Sequence, residues 1–217
     1  GIKSGLNTLS AIKENNEIDS NDWFEHLKAP FSSGINKTFY VYYVDKTKIL
    51  PGTTFRKQLL QFLKESANKL LDDTFTCEIV EFPEEKALIY CRILKENRVV
   101  GAIFIRNSGT EDKSALYLRG KNEYLDMLMD IGHPVHMYMM KHLKNPKNEF
   151  STLEKHILMG IKSGQSREQI LKHFSDFPIE RILKEIEFKE HLLERKKGQV
   201  LLSQKGEDYW AYTKKST

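Results

Sequence analysis

The residues of this sequence best suited to chemistry are Arg106, Asn107, Ser108, Gly109, Thr110, Glu111, Asp112 and Lys113, which follow one another without a gap. Ser108 and Thr110 carry hydroxyls that can donate to an anion. Gly109 has no side chain, so its N–H can approach an anion closely. Successive N–H groups of such a loop can form an anion-binding nest. Arg106 adds a planar, permanently charged fork that suits phosphate oxygens, and Lys113 adds more positive charge. The chemistry is recognition of a phosphate. The same composition also makes an ordinary hairpin turn, since Asn, Ser, Gly and Asp are common turn residues. On chemistry alone the turn is the simpler reading.

Other candidates are weaker. His133, His136 and His142 fall in one helical region, but Pro134 disrupts the spacing and no further ligand matches it, so they read as polar residues near helix ends. Met127, Met129, Met137, Met139 and Met140 surround them and read as fillers of irregular core gaps. Tyr40, Tyr42 and Tyr43 could stack bases, but a strand of that composition serves a core equally well, and core is preferred. Cys77 and Cys91 are too few for a disulfide framework and form no CxxC, so they read as free thiols on strands in a reducing cytoplasm.

The elements that must position the loop follow from the pattern. Residues 39–44 are β-branched and aromatic, hence a strand. Pro51-Gly52 is a turn, and Thr53 or Thr54 can cap a helix whose apolar stripe includes Phe55, Leu59, Phe62, Leu63, Leu70 and Leu71. Strands are expected at 76–81, 86–94 and 99–105, then the loop, then a strand at 114–119. The region 123–143 reads as helical with a break at Gly132-His133-Pro134. This β-α-β-β-β-β-α order predicts an α+β fold, an antiparallel sheet covered by helices. Upstream, 4–27 reads as one or two short helices, with a cap at Ser20, Asn21 or Asp22.

Beyond Asn145-Pro146-Lys147-Asn148, which reads as a linker, the rhythm changes. Leu153, Ile157 and Ile161 mark a helix ending at Ser163-Gly164; Ser166 opens a second, through Phe174; Pro178 opens a third. Lys196-Lys197-Gly198 turns into a short strand at 199–202, and a closing turn follows at 205–210. Three helices and a hairpin are the plan of a small winged helix-turn-helix domain. The expected division is a helical remnant at 1–30, a phosphate-binding domain at 31–146 and the winged-helix-like domain at 149–217.

The composition, 40% hydrophobic and 29% charged, excludes a disordered chain. No apolar run is long enough for a membrane helix, and the first residues have no signal-peptide core. A cytoplasmic protein with no membrane partner is expected. A net charge of +4 is too mild for a dedicated nucleic-acid binder.

The 106–113 stretch resembles the phosphate-binding signature of the phosphohexomutases, the phosphoglucomutases, phosphomannomutases and phosphoglucosamine mutases. That signature usually reads Arg-Pro-Ser-Gly-Thr-Glu-Pro-Lys-x-Arg and lies between two strands of the family's fourth, C-terminal domain. The surrounding elements agree with that domain, and Ser4-Gly5-Leu6-Asn7-Thr8-Leu9 resembles the helix that ends the third domain, so the resemblance spans about 4–143. It implies the C-terminal portion of an isomerase of carbohydrate metabolism that works by intramolecular phosphoryl transfer. Arg106, Ser108, Gly109 and Thr110 would grip the phosphate of a hexose phosphate. The phosphoserine and the Mg2+ would belong to upstream mutase domains, so this chain would hold no cofactor and catalyse nothing alone. The signature's prolines are Asn107 and Asp112 here, and its second Arg falls on Ala115; Arg119 is a candidate to restore the charge.

The tail implies a second class of function. As a non-catalytic regulatory module, the winged helix would contact nucleic acid or a partner protein. Its third helix mixes Arg181, Lys184, Lys189 and Arg195 with five glutamates, which repel phosphates. Arg195, Lys196 and Lys197 form its attractive patch.

Overall fold

A computed structural model describes residues 34–215. The expected helices at 4–27 and the segment 1–30 lie outside the described residues.

The described chain is an α+β fold. Five strands form one sheet: β1 (Gly34–Tyr42), β2 (Phe75–Val80), β3 (Leu88–Lys95), β4 (Arg98–Asn107) and β5 (Lys113–Lys121). The spatial order is β1-β5-β4-β3-β2, and every neighbour is antiparallel. Side chains alternate across a strand, so one face carries Phe39, Val41, Ile89, Cys91, Ile93, Ile103, Ile105, Leu116 and Leu118, all buried. Against that face lie α1 (Thr54–Leu70) and α2 (Leu125–Leu143). The α1 stripe of Phe55, Leu59, Leu63 and Ala67 is buried at every fourth residue, the spacing that puts one helical face on the core. Thr53 caps it by accepting from the Arg56 N–H.

The opposite sheet face has no helix over its middle. Tyr90, Phe104 and Tyr117 stand there as a stacked ladder, with ring centroids 5.8 and 4.6 Å apart. Their faces cover one another, which leaves ring edges rather than faces for solvent. The two-residue turn between β3 and β4 uses Glu96 and Asn97 at positive φ, 49° and 63°, as hairpin twist requires.

Two local expectations change. The helix of 123–143 is not interrupted: α2 runs through Pro134. Leu128, Ile131, Val135 and Met139 all bury on one side of it, and that burial outweighs the hydrogen bond that Pro134 cannot make. His136 lies mid-helix and fully buried rather than near a helix end; its Nε2 faces the Tyr40 carbonyl at 2.8 Å. Cys77 and Cys91 are free thiols on strands, as expected; they sit on neighbouring strands with their sulfurs 2.7 Å apart, a proximity that their sequence spacing does not reveal.

The remaining elements are α3 (Glu149–Lys162), α4 (Arg167–His173), α5 (Ile179–Lys184), a π-turn at Glu185–Lys189, the hairpin β6 (Leu193–Lys196) and β7 (Gln199–Leu202), and α6 (Gln204–Lys215). Ser166 and Gln169 form a reciprocal capping box on α4. The closing turn expected at 205–210 is instead part of α6, anchored by Tyr209 at 2% exposure. Its close packing needs Gly206, where a Cβ would stand 2.1 Å from the Leu192 carbonyl oxygen. Gly206→Ala must push backbone apart, so a loss of about 3 kcal/mol in urea unfolding is expected; an unchanged midpoint would show that α6 moves freely.

One hydrophobic core links the sheet to the tail, from Ile35 to Tyr209. Residues 143–145 pair with 43–45: the Asp45 N–H donates to the Leu143 carbonyl at 3.0 Å and the Asn145 N–H to the Tyr43 carbonyl at 2.8 Å. Beyond them Asn148 caps α3. Glu190, at the end of the π-turn, accepts the Tyr42 N–H at 2.8 Å, covering part of an edge strand that would otherwise leave it unpaired. Its other partner is the buried Lys144, which also holds Glu154.

Candidate functional site

The loop of residues 108–112 closes the hairpin between β4 and β5 at one end of the sheet. The last rungs of that hairpin pair Arg106 with Ala115 and Asn107 with Ser114. By strand alternation Arg106 shares the uncovered face with Phe104, whereas Asn107 faces the helices. Arg106 therefore projects into solvent, where it pairs with Glu85 at 3.5 Å. Asn107 is committed inside: its Nδ2 donates to the Lys46 carbonyl at 2.9 Å, and its Oδ1 accepts from the Ser114 hydroxyl at 2.6 Å. That side chain positions the loop rather than facing a ligand.

Within the loop, the Ser108 N–H donates to the Lys113 carbonyl at 2.8 Å. Ser108 Oγ accepts from the N–H groups of Thr110 and Glu111 at 3.4 and 3.2 Å. The expected nest is thus partly folded onto Ser108: two of its N–H groups turn inward to that hydroxyl. The Gly109 N–H has no partner among the described residues, and Thr110 is exposed. Gly109 also has open space where a Cβ would stand and an unstrained backbone, unlike Gly52, Gly164 and Gly198, whose positive φ angles explain them. Nothing in the described structure requires glycine there.

The charges of the loop are balanced in the described state. Lys113 pairs with Glu111, whose carboxyl that lysine holds below its ordinary value by a hydrogen bond. Lys46 lies 3.7 Å from Asp112 and donates to the carbonyls of Ser108 and Glu111, each at 3.3 Å. Lys46 was not singled out from the sequence, and no local signal could have identified it. It reaches the loop because β1 pairs with β5 and the Val44 N–H continues the ladder to the Asp112 carbonyl at 3.1 Å.

Lys113 also lies over two rings, 5.2 Å from the centre of Tyr40 and 5.7 Å from that of Tyr42. The tyrosines expected in the core divide accordingly. Tyr43 is buried among tail residues and donates to Glu185. Tyr42 is also buried, as expected of core, while Tyr40 is half-buried; both lie on the other sheet face beneath the cations. Arg119 does not restore charge at the loop. It sits six residues along β5, about 20 Å away, stacked over Phe104 and Tyr117 at 5.7 and 5.2 Å.

The basic patch of the tail is largely compensated. Arg195 makes a two-pronged pair with Glu187, and Lys196 lies 2.7 Å from Glu194. Lys197 sits at φ 49° in the β6–β7 turn. Among the described residues no cluster of three or more His, Cys, Asp or Glu could hold a metal ion, and no helix is long and apolar enough to cross a membrane.

No family model matches the chain, and no curated protein matches it. Among solved structures, the chain is similar to the open form of the exocytosis-sensitive phosphoprotein pp63/parafusin, a phosphoglucomutase from Paramecium. The two are 10% identical, with a TM-score of 0.35, over 61% of this chain and 26% of that one. The chain thus spans about a quarter of that protein's length, and a likeness of this size carries no weight for fold or function.

Proposed function

We propose that the described sheet is the C-terminal phosphate-binding domain of a phosphohexomutase-like protein, and that the loop grips the phosphate of a hexose phosphate. The observation that carries this reading is the glycine at 109, placed with an unpartnered N–H in a solvent-facing loop although no backbone strain or steric contact demands it. Around it Ser108 and Thr110 offer hydroxyls, and Arg106 and Lys113 offer charge. These cations are now paired with Glu85 and Glu111; the Arg106–Glu85 pair is exposed and hence weak, and Lys113 is half-buried beside an exposed Glu111, so an arriving phosphate can compete with both carboxylates. A clamp of this kind acts by positioning its substrate. In this reading the phosphoserine, the Mg2+ and the sugar-reading residues belong to upstream domains, and residues 149–217 form a winged-helix-like addition with a regulatory or assembly role.

The alternative, a module whose winged helix contacts nucleic acid or a partner protein through Arg195, Lys196 and Lys197, is less favoured. Arg195 and Lys196 are already paired within the tail. The residues after α5 pack on β1 instead of presenting a free recognition helix.

The test is an NMR titration of the chain with glucose 6-phosphate. Shifts that include residues 107–113 are expected at millimolar ligand, with sulfate as the control anion. Arg106→Ala and Thr110→Val should each weaken binding at least about tenfold, the loss of one charge-assisted contact, while leaving the unfolding midpoint in place. Equal binding by both variants would refute the loop assignment.

A further inference from the structure

The loop's end of the sheet holds a second feature. A groove of about 580 Å³ runs between β1 and the π-turn, lined by Tyr42 on one side and by Glu180, Arg181, Lys184, Glu185, Phe188 and Lys189 on the other. Phe188 is 56% exposed, the largest exposure of any bulky apolar side chain in the described structure. Strand register ties the groove to the loop. Tyr40 lies opposite Ala115 and Tyr42 opposite Lys113, while Ala115 lies opposite Arg106 on its other side. These five residues share one sheet face, where Ala115 and Tyr42 are buried among the neighbouring side chains.

The tail delivers a cation to that face. Lys189 Nζ stands 5.7 Å from the centre of the Tyr40 ring, the ring that Lys113 approaches at 5.2 Å. Two ammonium groups from segments 76 residues apart thus converge on one aromatic ring. Lys189 and Lys184 have no carboxylate partner among the described residues. The nearby carboxylates are engaged, Glu185 by Tyr43 and by Arg181 at 2.8 Å, Glu180 by Arg167 at 2.6 Å, and Glu111 by Lys113. Lys113 thus has one counterion, whereas Lys184 and Lys189 have none among the described residues, and the excess positive charge favours an anion between Lys113 and Lys189. The π-turn that presents Phe188 and Lys189 is a rare irregularity of a kind that recurs at functional sites.

We infer that the tail supplies the second wall of the phosphosugar site. The phosphate would lie between Arg106, Lys113 and Lys189, and the sugar ring would lie along the groove between Tyr42 and Phe188. An apolar lining with a few convergent polar groups is the usual make-up of a small-ligand pocket, and a hexose monophosphate has both the charge and the ring to fill this one. The inference rests on the loop reading above.

The experiment is calorimetric titration of the full chain with glucose 6-phosphate and, separately, with inorganic phosphate. Four proteins are compared: the parent, Arg106→Ala, Lys189→Gln and Phe188→Ser. Lys189 and Phe188 are exposed, so their variants should fold as the parent does, and thermal unfolding checks this. Lys189→Gln is expected to weaken both ligands about tenfold. Phe188→Ser should weaken glucose 6-phosphate about fivefold and leave phosphate unchanged, which separates ring contact from charge. If Arg106→Ala loses binding while Lys189→Gln and Phe188→Ser bind like the parent, the loop reading stands and the two-walled site is overturned. Binding by Arg106→Ala at parent strength, or no binding by the parent, overturns both.

Discussion

Lys144→Met is expected to cost about 3–5 kcal/mol of unfolding free energy, the usual loss when one partner of a buried ion pair is removed. Lys144 is 7% exposed. Its ammonium holds Glu154 and both oxygens of Glu190, the latter at 2.7 and 3.0 Å. The rings of Tyr43 and Tyr209 flank it at 5.9 and 5.7 Å. Burial alone would lower the lysine's pKa, but the two carboxylates outweigh it and raise the value. Methionine keeps most of the side-chain volume and removes the charge, leaving the buried side chains of Glu154 and Glu190 with no cation between them. For a domain of this size the corresponding fall in Tm is about 10 °C. Urea unfolding at neutral pH measures it, and a loss below about 1 kcal/mol would mean that water reaches the cluster.

The effect should not stay local. Glu190 also accepts the Tyr42 N–H, and its carbonyl accepts from Lys205, whose ammonium contacts His136 Nδ1, each at 2.7 Å. His136 in turn faces the Tyr40 carbonyl. The network therefore joins α2, α3, α6 and the π-turn to the strand that carries Tyr40 and Tyr42. Loosening it would displace the groove wall that holds Phe188 and Lys189 before it disturbed the sheet.

Very little of this network was legible in the sequence. The sheet itself was, because period-2 runs such as Ile103 and Ile105 or Leu116 and Leu118 mark strands locally, and turn residues separate them. The helices were legible from stripes such as Phe55, Leu59 and Leu63. Pro134 misled, because local propensity cannot weigh the burial of Ile131 and Val135 on either side of it. The polar junction stayed hidden for a different reason. Lys144 reads as one more lysine beside an apparent linker, and Glu154 and Glu190 read as members of charged helix faces. Only tertiary packing brings them together, across 10 and 46 residues. The loop shows the same division. Its residue types were plain, but Lys46 and Glu85, which hold and neutralise it, come from other segments.

The same cluster predicts an unusual pH dependence. Burial and then the nearby Glu190 push the Glu154 carboxyl up to about 8, against the opposing pull of Lys144. Glu154 Oε1 is buried with no hydrogen-bond partner, as suits a carboxyl that keeps its proton. A carboxyl whose folded pKa is raised contributes stability that is complete below its unfolded pKa, about 4.5, and is lost as pH rises through about 8. Other groups act on either side of this range. Burial lowers His133, His136, His142 and His191, so their charging opposes folding below about pH 6.5 and fades above it. Burial also lowers Lys205 to about 8, so stability recovers as pH rises from there, until about pH 10, where the raised Tyr42, Tyr43 and Tyr209 hydroxyls begin to oppose it. Between pH 6.5 and 8 the Glu154 proton dominates, and at about 1.4 kcal/mol per pH unit the protein should lose roughly 2 kcal/mol. Stability should therefore pass through a minimum near pH 8. Glu154→Gln keeps the shape of the side chain without a titrating group, so the falling limb should vanish while the recovery above pH 8 remains. Urea midpoints measured from pH 6 to 9.5 on both proteins decide the point. A parent curve that is flat or rising between pH 6.5 and 8 would show that Lys144 satisfies both carboxylates in their ionised form, and that Glu154 folds without its proton.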